Sequence, residues 1–245
     1  MASSADEVPA WAVDAATQLA PKDPADPPGL RTIVGFGSLL SEQSARSTCP
    51  ALQNFRLGRV DNFRRVFAHP AGIFFARGIA SLATKEMASL SAEPAEGCSF
   101  RVSLFEVDDS AGAMARFVQR EEEFDLVMAP YIDDAGRRGS ALMCARGTDE
   151  MFVARAGREV FERDYIAVGV ETIWGWGHDS GILPCRVYCR HCVLAAAKQG
   201  AEVRDAFLDT TFLADRSTTL REHLERNPSL MQDEPPPALK SRYSG

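Results

Sequence analysis

Two segments of the sequence carry residues that could do chemistry together. Residues 35–39 read Gly-Phe-Gly-Ser-Leu after a short apolar run, and three consecutive glutamates at 121–123 follow a second apolar stretch. Two glycines around one residue let a backbone approach a ligand closely and direct its N–H groups at a carbonyl or negatively charged oxygen. A carboxylate beside such a ligand could move a proton. We call residues 35–39 the glycine loop and residues 121–123 the glutamate triplet.

Each segment alone also fits an ordinary structural role. A lone Gly-x-Gly is most often a tight turn, and three glutamates in a row most often form a solvated helix face. The glycine loop is not a phosphate-binding P-loop, because no Gly-Lys-Ser/Thr follows it. Ser38 lacks the Gly-x-Ser-x-Gly surroundings of a hydrolase nucleophile, so we expect it to bind substrate or to stabilise the turn.

Three motifs together resemble those of the γ-glutamylcyclotransferases, including the glutathione-specific ChaC type. Residues 35–40 are similar to the ChaC pattern Gly-Tyr-Gly-Ser-Leu-Ile, and residues 62–67 resemble the aromatic-Ser-Arg-Arg-aromatic strand that follows it. Arg120 and Glu121 match the catalytic dipeptide of the family. The resemblance covers residues 31–150. After the dipeptide the ChaC type has Lys-Gly-Gly-Tyr whereas this chain has Glu-Glu-Phe, a departure that affects the local loop and substrate preference.

The resemblance implies an intramolecular cyclisation. The free α-amine of a γ-glutamyl compound attacks its own γ-carbonyl carbon, which closes a five-membered ring and releases 5-oxoproline and an amine. With glutathione, the released amine is Cys-Gly. Because nucleophile and electrophile belong to one molecule, most of the entropic barrier is absent. One carboxylate can remove the proton from the attacking amine and supply one to the leaving nitrogen, so the reaction requires no metal or cofactor.

The same resemblance assigns candidate residues to this reaction. Glu121 is implied as the general acid/base, whereas Glu122 and Glu123 are expected to be surface charges. Arg64 is a candidate for binding a substrate carboxylate, because a guanidinium forms bidentate pairs, and the alternative is an ion pair on a strand. The backbone of the glycine loop is implied to bind the γ-glutamyl group or the oxyanion. That set consists of Gly35, Phe36, Gly37, Ser38 and Leu39, with Phe36 lacking the hydroxyl of the family's tyrosine.

Three cysteines suggest functions of a different class. The spacing of Cys185, Cys189 and Cys192 is the one that radical S-adenosylmethionine enzymes use for an iron–sulfur cluster, and His178 could complete a zinc site. We favour core packing, because a helix would place these small thiols on one buried face, and we predict no metal. A third alternative is a binding module that keeps the fold and holds a γ-glutamyl compound without turnover.

Composition excludes several other functions. The 245-residue chain has a net charge of −7 and a pI of about 5.2, which argues against binding nucleic acid or an anionic membrane, since both need a basic surface. Residues 1–30 do not read as a secretory signal. Six cysteines without such a signal lead us to expect reduced thiols and a cytoplasmic protein. The expected partner is a small-molecule γ-glutamyl substrate, and the sequence does not indicate the oligomeric state.

Apolar periodicity predicts both strands and helices. Alternating patterns predict strands at 33–36, 58–68, 98–107, 126–132 and 140–146, with another strand after a loop within 72–83. Helical periodicity and capping residues predict helices at 11–19, 41–49, 110–120, 183–199, 203–213 and 217–224.

Strands that precede helices favour an α+β fold. The family resemblance implies a small mixed β-barrel with helices around it and an added C-terminal helical segment. We expect an N-terminal segment and linker at 1–30, a γ-glutamylcyclotransferase-like core at 31–180, helices packed on the core at 181–226 and an extended tail at 227–245. Residues 174–178, Trp-Gly-Trp-Gly-His, could either wall a substrate site or plug one end of the core.

Overall fold

The computed structural model describes residues 8–245 as one mixed sheet surrounded by helices. The strands are β1 Leu30–Gly35, β2 Gln53–Pro70, β3 Glu86–Asp108, β4 Asp125–Asp133, β5 Arg138–Ala145, β6 Leu183–Pro184 and β7 Thr211–Leu213. The α-helices are α1 Ala10–Thr17, α2 Glu42–Thr48, α3 Gly72–Ala76, α4 Ala111–Arg120, α5 Asp149–Ala156, α6 Arg158–Asp164, α7 Arg186–Ala197, α8 Ala201–Asp209 and α9 Leu220–Arg226.

Five of the strands close into a barrel. β3 pairs with β1, β1 with β5, β5 with β4, β4 with β2, and β2 returns to β3. The β1–β5 pair is parallel, whereas the other four pairs in the ring are antiparallel. Because the ring is closed, its strands have partners on both sides and a packed interior. The predicted α+β fold with a small mixed barrel and surrounding helices is therefore confirmed.

The two long strands, β2 and β3, extend beyond the ring and pair with short strands from later parts of the chain. β6 pairs in parallel with the start of β3, with Ala88 opposite Pro184. β7 pairs in parallel with the end of β2, with Val66 opposite Phe212. The segment at 181–226, predicted as helices alone, thus contributes two short strands to the sheet. Residues 227–245, predicted as an extended tail, contain two 3₁₀ helices, Pro228–Gln232 and Pro237–Leu239.

The helix that precedes the glutamate triplet, α4, forms where the sequence predicts it. Ser110 caps α4 by accepting a hydrogen bond from the Ala113 N–H at 3.4 Å, as expected for an N-cap serine. One face of α4 buries Met114, Phe117 and Val118. Because the apolar face fixes the helix on the barrel, the residues that follow its last turn are held in a defined place.

Several predicted element types or limits were wrong. The strand predicted within 72–83 is replaced by helix α3, which buries Phe74. The helix predicted at 183–199 begins only at Arg186, because the two residues of β6 pair with the sheet. The helix predicted at 203–213 ends at Asp209, and its last residues form β7. In each case, pairing or packing with a distant segment overrides the local pattern. No helix within residues 8–245 has both the length and the apolarity to cross a membrane.

Candidate active site

One cavity brings together the glycine loop and the glutamate triplet, which lie far apart in the sequence. The cavity has a volume of ≈ 410 Å³, and all five loop residues and all three glutamates line it. Its volume lies within the range of ordinary small-molecule sites. The polar backbone of the loop and the carboxylates therefore face the same space.

Close packing explains why the loop requires its glycines. Gly35 ends β1 opposite Ser103, whose hydroxyl donates to the Leu39 carbonyl at 2.7 Å and lies 3.2 Å from the Gly35 carbonyl. A Cβ on Gly35 would lie only 2.4 Å from the Ser103 oxygen. A Cβ on Gly37 would lie 3.2 Å from the Tyr188 hydroxyl. A larger residue at Gly35 would push the loop away from β3, whereas one at Gly37 would require neighbouring side chains such as Tyr188 to shift slightly.

A buried arginine holds the glycine loop from the core side. Arg65 donates to the carbonyls of Phe36 and Arg101, each at 3.2 Å. Its guanidinium lies 4.9 Å from the ring centroid of Phe100 and 4.4 Å from that of Phe207, at distances where cation–π attraction operates. Burial lowers the pKa of Arg65 to about 9. The loop is thus anchored to a charge that does not itself line the cavity.

Glu121 follows the last residue of α4 and is held by two groups that also line the cavity. Its carboxylate lies 3.2 Å from the Arg120 guanidinium, and its side chain is 13% exposed. The Cys144 thiol lies close enough to interact with it. Burial raises the pKa of Cys144 well above its usual value, so the thiol keeps its proton. These contacts leave Glu121 partly buried at the cavity wall.

Glu123 lies against the core, so the expectation that it is a surface charge was wrong. Its side chain is 14% exposed. It accepts hydrogen bonds from the Gly72 N–H at 3.2 Å and from the Tyr165 hydroxyl, and it lies 3.8 Å from His69 Nε2. Trp174, which stacks on His69 with centroids 4.2 Å apart, donates its indole N–H to the Glu123 carbonyl at 3.0 Å.

Burial raises the pKa of two members of the triplet. The pKa of Glu123 rises from its ordinary value of 4.5 to about 7, mainly because the carboxylate is desolvated. The pKa of Glu122 also rises to about 7, through burial and the nearby charge of Asp164. The expectation of a surface charge was therefore wrong for Glu122 as well. The carboxyl groups of these two neighbours of Glu121 can therefore hold a proton near neutral pH.

The raised pKa of Glu123 makes a testable prediction for stability. Because folding favours the protonated form, this contribution is fully present below pH 4.5 and is lost as the pH rises through about 7. We expect the Glu123→Gln variant to lack this pH dependence. Its free energy of unfolding relative to that of wild type should therefore be up to about 3 kcal/mol higher at pH 8 than at pH 4. Urea unfolding across that range measures the difference, and parallel curves for the two proteins would contradict the prediction.

Sequence reasoning missed several residues that line the cavity together with the glycine loop and the glutamate triplet. Tyr188 and His191 come from α7, and Arg242 and Tyr243 come from the end of the chain. The i, i+3 spacing of Tyr188 and His191 puts them on one face of α7 and is the only sequence signal for this pair. No local signal marks Arg242 or Tyr243, because only the fold of the 237–245 segment brings them to the cavity.

Arg64, proposed from the sequence as a substrate-binding residue, lies outside this cavity. Its Nε donates to Glu93 at 2.7 Å, and Arg216 and Arg146 reach the same carboxylate at 3.1 Å and 3.7 Å. These residues line a second cavity of ≈ 330 Å³ together with Trp176 and His178. The structure therefore does not bring Arg64 to the glycine loop.

The segment at 174–178 is divided between the core and the second cavity. Trp174 is buried in the main core and stacks on His69. Trp176 and His178 line the second cavity. Neither residue therefore walls the cavity that contains the glutamate triplet.

The three clustered cysteines pack as small apolar side chains. Cys189 and Cys192 lie in the main hydrophobic core, as predicted. Cys185 precedes α7 and directs its thiol at the Ile79 carbonyl, 3.2 Å away. Burial raises the pKa of Cys185 and of Cys192 to about 12, which keeps both thiols protonated. Within residues 8–245, no three His, Cys, Asp or Glu side chains are grouped so as to hold a metal ion.

Comparisons with known proteins return matches among solved structures. One is named γ-glutamyl cyclotransferase, with 9% identity and a TM-score of 0.47 over 83% of this chain and 99% of that chain. Another is an uncharacterised protein from Homo sapiens, with 10% identity and a TM-score of 0.47 over 81% and 98% of the two chains. A third comes from Arabidopsis thaliana, with 11% identity and a TM-score of 0.36 over 57% and 91%.

These matches describe a similarity of fold. No protein-family model and no curated protein matches the sequence. At this identity, any assignment of reaction and substrate has to rest on the geometry of the cavity.

Proposed function

We propose that this protein catalyses a γ-glutamylcyclotransferase-type reaction, in which a γ-glutamyl compound cyclises and releases 5-oxoproline. The observation that carries the proposal is the shared cavity of the glycine loop and Glu121. The chemistry needs backbone donors at the γ-carbonyl and one carboxylate at the attacking amine. Glutathione, γ-glutamyl amino acids and γ-glutamyl amines all present the same γ-glutamyl end to such a site.

The glycine loop binds the γ-glutamyl group in this proposal. Backbone N–H groups next to Gly37 stabilise the negative charge that develops on the carbonyl oxygen as the amine attacks. Arg65 and Ser103 bond to carbonyls of the same loop, so the loop is organised before substrate arrives. Preorganised donors of this kind contribute to rate because they need little rearrangement in the transition state.

Glu121 acts as the general acid/base in this proposal. It takes a proton from the α-amine, which then attacks the γ-carbonyl carbon, and it returns a proton to the leaving nitrogen as the amide bond breaks. Glu121 suits the role better than Glu123 because its partners, Arg120 and Cys144, line the cavity. The partners of Glu123 include Tyr165 and His69, which do not line it.

Product analysis tests the proposed reaction. Purified protein is incubated with glutathione, a γ-glutamyl dipeptide and a γ-glutamyl amine, and 5-oxoproline, glutamate and the released amine are quantified. We expect 5-oxoproline and amine in equal amounts from at least one substrate. Release of glutamate instead would indicate hydrolysis by water, and no release from any substrate would favour a binding module that keeps the fold.

A further inference from the structure

We propose that Arg77 and Arg242 form an anion-binding subsite at the opening of the cavity, which selects γ-glutamyl compounds whose leaving amine carries a carboxylate. This inference rests on the proposed function, because it names the substrate class of the same site. Both arginines line the cavity with the glycine loop and Glu121. Neither was indicated by the motifs in the sequence.

The position of the arginines separates them from the reacting end of the cavity. Gly35 and Gly37 are buried, whereas Arg77 is half-buried and Arg242 is exposed. A γ-glutamyl group held by the loop therefore occupies the inner part of the cavity. The leaving amine extends from the γ-carbonyl towards the more exposed part of the lining, which includes both arginines.

Among the described residues, no carboxylate neutralises the two arginines. Within residues 8–245, neither Arg77 nor Arg242 forms an ion pair with a carboxylate, whereas Arg120 is paired with Glu121. Although Arg242 is exposed, the protein around it removes part of its hydration, which lowers its pKa below the usual value, and the positive charges of Arg77 and Arg120 lower it further. Like charges that repel one another in a cavity are relieved when an anion binds between them.

The fold holds Arg242 in place through its neighbours. Tyr243 is buried and accepts a hydrogen bond from Arg77 at 2.6 Å. The Gly245 N–H donates to His191 Nδ1 at 2.8 Å, and Lys198 donates to the Gly245 carbonyl. Because the residues that follow it are anchored, the backbone of Arg242 is held in place beside the cavity. A guanidinium held in this way suits a carboxylate, with which it forms bidentate hydrogen bonds.

The charge on the leaving group can be tested with a matched pair of ligands. γ-Glutamylglycine carries a carboxylate on its leaving amine, whereas γ-glutamylglycinamide has the same number of heavy atoms there and no charge. We expect wild type to prefer γ-glutamylglycine by at least about tenfold in kcat/KM. Arg242→Gln and Arg77→Gln should each reduce that preference severalfold, and Arg242→Lys should retain part of it. Lys240→Gln is the matched control, because Lys240 lies in the same segment, pairs with Glu234 at 2.6 Å and does not line the cavity.

Calorimetric binding of the same two ligands separates this inference from the proposed reaction. If neither ligand is turned over, the proposed reaction fails, but a binding preference that is lost in Arg242→Gln would still support the anion subsite. Equal binding of the two ligands by wild type, or no binding of either, would overturn the subsite. Equal weakening of both ligands in the arginine variants would also overturn it, because that result would place the arginines at the γ-glutamyl α-carboxylate.

Discussion

Replacing Glu121 by glutamine is expected to lower the rate of 5-oxoproline release by about 10²–10⁴-fold. Glutamine keeps the size of the side chain, and its carbonyl oxygen can still lie against Arg120. It cannot take the proton from the attacking amine. The loss should therefore appear in kcat, while substrate binding measured by calorimetry changes little. Circular dichroism and the thermal midpoint check that the fold is retained.

Glu123→Gln provides the matched comparison for the general base. It makes the same substitution two residues away, on a side chain whose carboxylate faces Tyr165 and Gly72. If Glu121 moves the proton, Glu123→Gln should retain most of the turnover and shift the pH profile at most. A larger loss in Glu123→Gln than in Glu121→Gln would assign the proton transfer to the buried carboxyl group, whose pKa of about 7 suits it.

Replacing Arg65 by alanine is expected to lower the free energy of unfolding by about 3 kcal/mol or more. The substitution removes hydrogen bonds to the Phe36 and Arg101 carbonyls and leaves a void between Phe100 and Phe207. Removing the buried charge also recovers its desolvation cost. The losses are larger than this gain, because no apolar group of equal volume replaces the Arg65 side chain. Urea unfolding measures the change, and binding of a γ-glutamyl ligand should weaken because the glycine loop loses its anchor.

The neighbouring residue supplies a control for Arg65. Arg64 is half-exposed and pairs with Glu93, which also receives hydrogen bonds from Arg216. Arg64→Ala should therefore cost about 1 kcal/mol or less. Equal stability of the two alanine variants would mean that the cost of burying the Arg65 charge offsets its hydrogen bonds and ring contacts. That result would contradict the anchoring role of Arg65.

Local patterns in the sequence predict the elements whose formation depends mainly on residues close to them in the chain. The serine cap and apolar face of α4 place the helix before the glutamate triplet correctly, because a cap and a 3.6-residue period report directly on helix formation. The turn between β4 and β5 is likewise visible in the sequence and is closed by a 2.8 Å hydrogen bond from the Gly136 N–H to the Asp133 carbonyl. These features need no information about distant residues.

Elements that depend on distant partners could not be predicted in this way. The first half of β3 is rich in alanine and serine and contains Pro94, a composition that disfavours strands. It is nevertheless a strand, because β2 pairs with it along its length. The family resemblance indicated Glu121 and the glycine loop, but Arg77, Tyr188 and Arg242 reach the cavity only through the tertiary fold.

Strands β6 and β7 and the 237–245 segment come late in the sequence. Their position affects the stage at which a newly made chain becomes able to bind a ligand. The cavity draws its walls from β1, from α7 and from Arg242 and Tyr243. During synthesis, the glycine loop and Glu121 emerge well before the residues that complete their surroundings. Ring closure between remote strands is also slow, because non-local contacts must form before they stabilise the chain. Ligand affinity should therefore be among the last properties that a newly made chain acquires, which makes it a sensitive reporter of complete folding.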